Sequence, residues 1–142
     1  MELIKLHPPV VHFAIAFPVF LLLVDIYYIW KKKSPDGLHA LLTYLSTLAV
    51  LAGVVSGILA YEPIEEKLYK IPVFEPHKYL GFFLAVYFLA LALLRWLLGK
   101  YTQKVWLRNL FTLLLAVGVL LLFIQGRWGG SIVYDYLLKT GL

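Results

Sequence analysis

Four histidines in a strongly apolar chain are the residues most able to do chemistry, and three of them are placed alike. His7 and His12 flank the Pro8-Pro9 pair in KLHPPVVHF, at the start of a long apolar run. His77 follows Pro76 at the start of another. Neutral imidazole is the commonest protein ligand for metals. Two imidazoles on different helices at one depth suit a bis-histidine haem b, so His12 and His77 are the expected axial ligands. His7 is then a third ligand to a non-haem ion, a partner for a haem propionate, or a hydrogen-bond donor to a quinone. The competing reading is three interfacial histidines that meet only water, headgroups or helix ends. His39 stands by itself at the far end of its apolar block and reads as interfacial.

The elements that position these residues follow from composition. The chain has 142 residues, of which 62% are hydrophobic and 15% charged. Its mean hydropathy is +0.84. A soluble domain of this size cannot bury so much Leu, Val and Phe. The class is therefore an integral membrane protein. A bilayer-crossing helix needs about 20 apolar residues. Four blocks meet that length: residues 10–30, 38–61, 77–99 and 107–125. The first is too long for a signal-peptide core and runs into three lysines. Short connections such as KKKSPDG favour antiparallel neighbours. The expected fold is one domain, residues 1–142, an all-α four-helix up-and-down bundle. A short amphipathic helix is expected near residues 65–69. The closing SIVYDYLL is expected to lie on or cap the bundle after Gly126, Gly129 and Gly130 end the fourth helix.

Cysteine is absent, which excludes thiolate metal sites, cysteine-ligated clusters and c-type haem attachment. The formal charge of +5 sets loop orientation and does not imply nucleic-acid binding. Lys31, Lys32, Lys33, Lys100, Lys104 and Arg108 crowd two short loops. Cations of the other face are spread over longer segments with most of the acids. This places both termini on the outer side of a prokaryotic inner membrane.

Other residues fit around the histidines. Ala49, Gly53 and Gly57 form a small-residue stripe for close packing, for a homodimer, or as a slot for a macrocycle or quinone head. Arg127 is expected at the His12/His77 level, facing an anionic group. Tyr79, Phe82, Phe83, Phe13 and Phe17 wall the pocket. Asp25 and Arg95 lie inside their spans and are expected to pair. The double proline is expected to hold His7 outside the helix, with His12 in its first turn, facing the core.

HPPVVHFAIAFPVFLLLVDI resembles the opening of an uncharacterised prokaryotic membrane-protein family, a domain of unknown function with a His-Pro-x-x-Val-His-Phe motif. EPHKYLG is similar to the family's histidine segment, and GGSIVYDYLLKTGL to its Gly-Gly-x-x-Val-Tyr closing motif. The resemblance covers nearly the whole chain. It carries over to His7, Pro8, Val11, His12, Phe13, His77, Gly129, Gly130, Val133 and Tyr134. Ala14 departs from a common proline, and Leu142 stands where members often continue. The resemblance implies a four-helix fold with an outer-side polar cluster, and no activity.

The reading that unites these features is a small b-type cytochrome-like protein, with haem b between His12 and His77. It would pass electrons to a quinone or a periplasmic redox protein, as a carrier or binding protein rather than a stand-alone enzyme. The alternatives are a transition-metal-binding or transport protein using His7, His12 and His77, and a non-catalytic assembly subunit.

Overall fold

The structure is a computed structural model; it describes residues 2–101 and 104–139, with side chains from Leu6 onward. Thr140–Leu142, the end of the closing motif, lies outside the described residues.

Among the described residues four long helices form: α1 (Glu2–Trp30), α2 (Gly37–Tyr61), α4 (Phe74–Lys100) and α5 (Val105–Ser131). Each contains a stretch long and apolar enough to cross a membrane. A 3-10 turn (Glu62–Ile64) and the short α3 (Glu65–Leu68) link α2 to α4. Around the bundle the order is α1, α2, α4, α5, with α5 closing back on α1. Consecutive long helices are neighbours, and the first and last described residues lie at one end of the bundle. That end is called the histidine end below, and the end with the lysine-rich loops the basic end.

Lipid tails are as apolar as leucine, so burial alone does not hold membrane helices together. Close packing along a seam does. Each long helix buries residues at alternating spacings of four and three, the heptad rhythm that keeps one face on its neighbours. On α1 the buried seam is Ala14, Pro18, Leu21, Asp25 and Tyr28. On α2 it is His39, Thr43, Ser46, Val50, Gly53 and Ala60. On α4 it is Phe74, Gly81, Leu84, Phe88, Leu91, Arg95 and Leu98. On α5, Leu107, Phe111, Leu115, Gly118 and Leu122 lead on to Ile132. Phe88, Phe111 and Leu115 fill the middle and are fully buried.

Small residues let the backbones approach. A Cβ at Gly53 would meet the Ala14 Cβ at 3.3 Å, and one at Gly118 would press on Phe88 and Tyr87. Hydroxyls supply the polar links. Thr47 donates to the Phe88 carbonyl at 3.1 Å, and Tyr87 to the Leu114 carbonyl at 2.7 Å.

The structure corrects two sequence expectations. Pro8 and Pro9 do not expel His7, because α1 runs unbroken from Glu2 through both prolines. Prolines near a membrane-helix end cost only the amide hydrogen bonds they cannot make. Gly126, Gly129 and Gly130 do not end the fourth helix, which continues to Ser131 and then widens into a π-helical turn, Ile132–Leu137. Gly126 and Gly129 admit Ile15 and His77 instead. The closing segment caps the bundle as expected, packing Ile132 against Leu68, Ile71 and Phe74.

At the basic end α1 stops in a Schellman turn. Lys32 takes a left-handed φ of 51°, and the Lys33 amide reaches back to the Tyr28 carbonyl at 2.8 Å. The turn brings Lys33 to 2.8 Å from Asp36, the N-cap of α2, which accepts the His39 amide. The Lys33 hydrogen bond, helped by that amide, holds the Asp36 carboxyl well below the usual carboxylate range. Asp36 therefore contributes stability above its unfolded value, and the contribution fades as pH falls through that value. Asp36→Asn should lower the unfolding midpoint at neutral pH. The gap to wild type should narrow below about pH 4 in thermal melts followed by circular dichroism.

Candidate functional site

The most fully built polar site is at the basic end, and every long helix contributes to it. Asp25, on α1, and His39, on α2, are both 0% exposed. Arg95, on α4, is 5% exposed. Arg108 and Thr112 come from α5. His39 Nε2 donates to Asp25 Oδ1 at 2.8 Å, and Arg95 Nε donates to His39 Nδ1 at 2.9 Å. The imidazole is thus the Nε2–H tautomer, fixed by an acceptor on one side and a donor on the other. Arg108 Nη2 donates to Asp25 Oδ1 at 2.8 Å, and Thr112 to Oδ2 at 2.6 Å. Arg95 Nη2 is spent on the Asp36 carbonyl at 2.7 Å. Phe111 and Tyr28 cover the His39 ring.

Asp25 and Arg95 therefore do not pair directly, as the sequence suggested. His39 stands between them, and Arg108 takes the carboxylate. His39 is not interfacial. Its position was signalled by spacing, since 39, 43, 46, 50 and 53 carry the four-three rhythm of the α2 seam.

At the histidine end the same rhythm selects among the sequence-predicted ligands. Extending the α1 seam back from Ala14 passes through Val11 and His7, and misses His12. His7 is half-buried, with Nδ1 2.9 Å from Ser56 Oγ. Ser56 Oγ also lies 3.0 Å from the Gly53 carbonyl, and with its proton placed there the serine oxygen accepts His7 Nδ1–H. His77 is half-buried on the α4 seam, and its Nδ1–H donates to the Gln125 carbonyl at 3.2 Å. Gln125 returns a bond from Nε2 to the His77 carbonyl at 3.0 Å. Each ring rests on a glycine. A Cβ at Gly57 would come within 3.1 Å of His7 Cε1, and one at Gly129 within 3.0 Å of His77 Cε1. His7 and His77 lie within electrostatic reach of one another.

Residues 3–141 match a family described as "Predicted membrane protein (DUF2231)". The chain belongs to the DUF2231 family. The match spans both ends of the bundle, so the buried relay and the histidine cluster belong to one family unit. No curated protein and no solved structure matches the chain.

The DUF2231 fold places the remaining candidates as follows. His12 is exposed on the outer face of α1, its Nδ1 2.6 Å from the Pro8 carbonyl of its own helix. It does not face His77. Arg127 is exposed and points to no anionic partner among the described residues. The spaces at Gly53 and Gly57 are filled by Ala14 and His7, so they form no slot for a macrocycle. Phe13, Tyr79, Phe82 and Phe83 are exposed and wall no pocket between His12 and His77. A shallow apolar hollow of about 520 Å³ lies along α1, lined by Phe13, Phe17 and Phe20, away from His77. The residues present therefore do not fit a haem held between His12 and His77. Among the described residues no group of three or more His, Cys, Asp or Glu is placed to hold a metal ion. His7 and His77 remain, each with Nδ1–H committed and Nε2 without a hydrogen bond among the described residues. Oε1 of Gln125, which is bonded to His77, is buried with no hydrogen-bond partner among the described residues.

Removing one member of a buried charge cluster costs about 3–5 kcal/mol, because it strands the others. Asp25→Leu should show that loss in denaturant titrations in detergent. Adding Arg108→Met should restore a large part of it. Simple additivity of the two losses would show that the residues are not coupled.

Proposed function

We propose that the histidine end binds a transition-metal ion through Nε2 of His7 and Nε2 of His77, with Gln125 Oε1 as an oxygen donor. The observation that carries this reading is the pair of locked tautomers. When Nδ1–H is tied to a fixed acceptor, the ring orientation is set and the lone pair on Nε2 is directed outward. Metal-ligating histidines are prepared in that way. The carbonyl of Gln125 serves the same role toward His77 that a second-sphere acceptor serves in such sites.

The three unpartnered groups are all acceptors. Together they call for a cation or for a hydrogen-bond donor, and imidazole favours zinc, copper or nickel over magnesium or calcium. Two imidazoles and an amide make a weak, open site. That suits an ion that is passed on, or one that completes its coordination with a second molecule. The protein would work in the inner membrane of a prokaryotic cell, with the histidine end outside. The compact lysine loops of the basic end support that orientation.

A second reading uses the same two nitrogens. Haem b carried on His7 and His77, with a quinone or a periplasmic redox protein as partner, requires the glycine-backed rings to part. It supplies electron transfer where the first reading supplies ion binding.

The test is calorimetric titration of chelator-treated protein in nanodiscs with zinc, copper and nickel ions. One ion per chain is expected. Ser56→Ala, which frees His7 Nδ1, should weaken binding by about 10–100-fold, and His7→Ala or His77→Ala by more. His12→Ala should change nothing. A preparation with a Soret band that His7→Ala abolishes would favour the haem reading. Failure to take up either the ions or added haemin would contradict both.

A further inference from the structure

The basic end carries an uncompensated charge that the relay does not resolve. Seven cations gather there: Lys31, Lys32, Lys33, Arg95, Lys100, Lys104 and Arg108. Two carboxylates face them, Asp25 and Asp36. Asp36 is taken by Lys33 and the Tyr28 hydroxyl. Asp25 is taken by Arg108, His39 and Thr112. Arg95, at 5% exposure, has no carboxylate of its own. It spends Nε on an imidazole and Nη2 on a carbonyl, and among the described residues Nη1 meets no acceptor. Arg108 lies within its electrostatic reach, and Arg108 Nε is buried with no hydrogen-bond partner among the described residues.

A buried guanidinium without a counter-ion is costly, and the cost falls when an anion arrives. Among the described residues, Gly99 marks an approach. Gly99 lies one turn beyond Arg95 on α4, and a Cβ there would sit 3.6 Å from Arg95 Nη1. Having no side chain, Gly99 puts nothing of its own over that edge of the guanidinium, and it is itself exposed at the rim of the bundle. Lys100 lies over the Trp96 ring at 3.8 Å and Lys104 over Tyr101 at 4.9 Å. Tryptophan and tyrosine of this kind mark the headgroup level of a bilayer. An anion arriving there comes from the membrane surface, and guanidinium matches phosphate oxygens by its planar donor fork.

We propose that the basic end is a binding site for the phosphodiester of an anionic lipid, held by Arg95 and Arg108 and admitted past Gly99. The lipid supplies the negative charge that the relay lacks. The lysines draw the headgroup in, and the two guanidiniums hold it.

Native mass spectrometry of the full chain released from nanodiscs of mixed phosphatidylglycerol and phosphatidylcholine tests this. The wild type should retain phosphatidylglycerol with a preference of about tenfold, as expected where clustered basic residues meet anionic lipid. Arg95→Gln should abolish the preference. Because that variant also cuts the relay, Gly99→Leu is the deciding one. It keeps every charge and hydrogen bond and covers the approach to Nη1. Loss of the preference with an unchanged far-ultraviolet spectrum is the expected result. Equal retention of the two lipids by wild type would overturn the proposal, and so would an undiminished preference in Gly99→Leu. Stabilisation by inorganic phosphate alone, with no lipid preference, would also overturn it.

Discussion

Asp25 is a carboxylate with no exposure to solvent, placed where all four long helices meet. Everything at that end is arranged around its charge. An imidazole from α2, a guanidinium and a hydroxyl from α5, and through the imidazole a guanidinium from α4, all converge on it. Buried charges are poor evidence for net stability, since apolar replacements often serve as well. What they give is a reason for one register. Sliding any helix by one residue would take its polar group off the seam and leave the others unpartnered. The rest of the seam is Leu, Phe, Val and small residues, which alone would allow several pairings.

Between the two ends lies a closed apolar layer. Leu21, Val50, Leu84, Phe88, Leu115 and Val119 belong to one buried cluster. The α2 hydroxyls near it bond to their own helix, with Thr47 adding one bond across to α4. The relay and the histidine cluster are therefore separate pieces of chemistry. They also use opposite tautomers. His39 holds its proton on Nε2, because a carboxylate accepts there and an arginine donates to Nδ1. His7 and His77 hold theirs on Nδ1, because a hydroxyl and a carbonyl accept there. In the first case both nitrogens are consumed and the ring is a structural link. In the second, one nitrogen is left over, and that is the nitrogen the proposed ion site would use.

The spans were legible in the sequence because hydropathy depends on composition over about twenty residues, which no tertiary detail alters. The closing cap was legible because SIVYDYLL is amphipathic and too short to span. The sites were harder to read. The small-residue stripe was read correctly as close packing at Gly53 and Gly57, but judging His12 by its place near a helix end missed the alternation of four and three that decides which face is buried. That alternation was present in the chain: 7, 11, 14, 18, 21, 25, 28 on α1, and 39, 43, 46, 50, 53 on α2. It admits His7 and His39 and leaves His12 outside. The prolines and the late glycines misled because soluble-protein rules for helix ends were applied to helices whose neighbours and hydrocarbon surroundings sustain them. The pairing of Asp25 with Arg108 instead of Arg95 had no local signal, since it depends on how α5 docks against α1.

The central claim is that tautomers divide the two ends into a lock and a ligand site. Nitrogen-15 magnetic resonance of histidine-labelled protein in a bilayer measures this directly. The account predicts that the His39 resonances report Nε2–H, that those of His7 and His77 report Nδ1–H, and that added zinc moves Nε2 of His7 and His77 alone. Nε2–H signals from His7 and His77, indifferent to zinc, would contradict it.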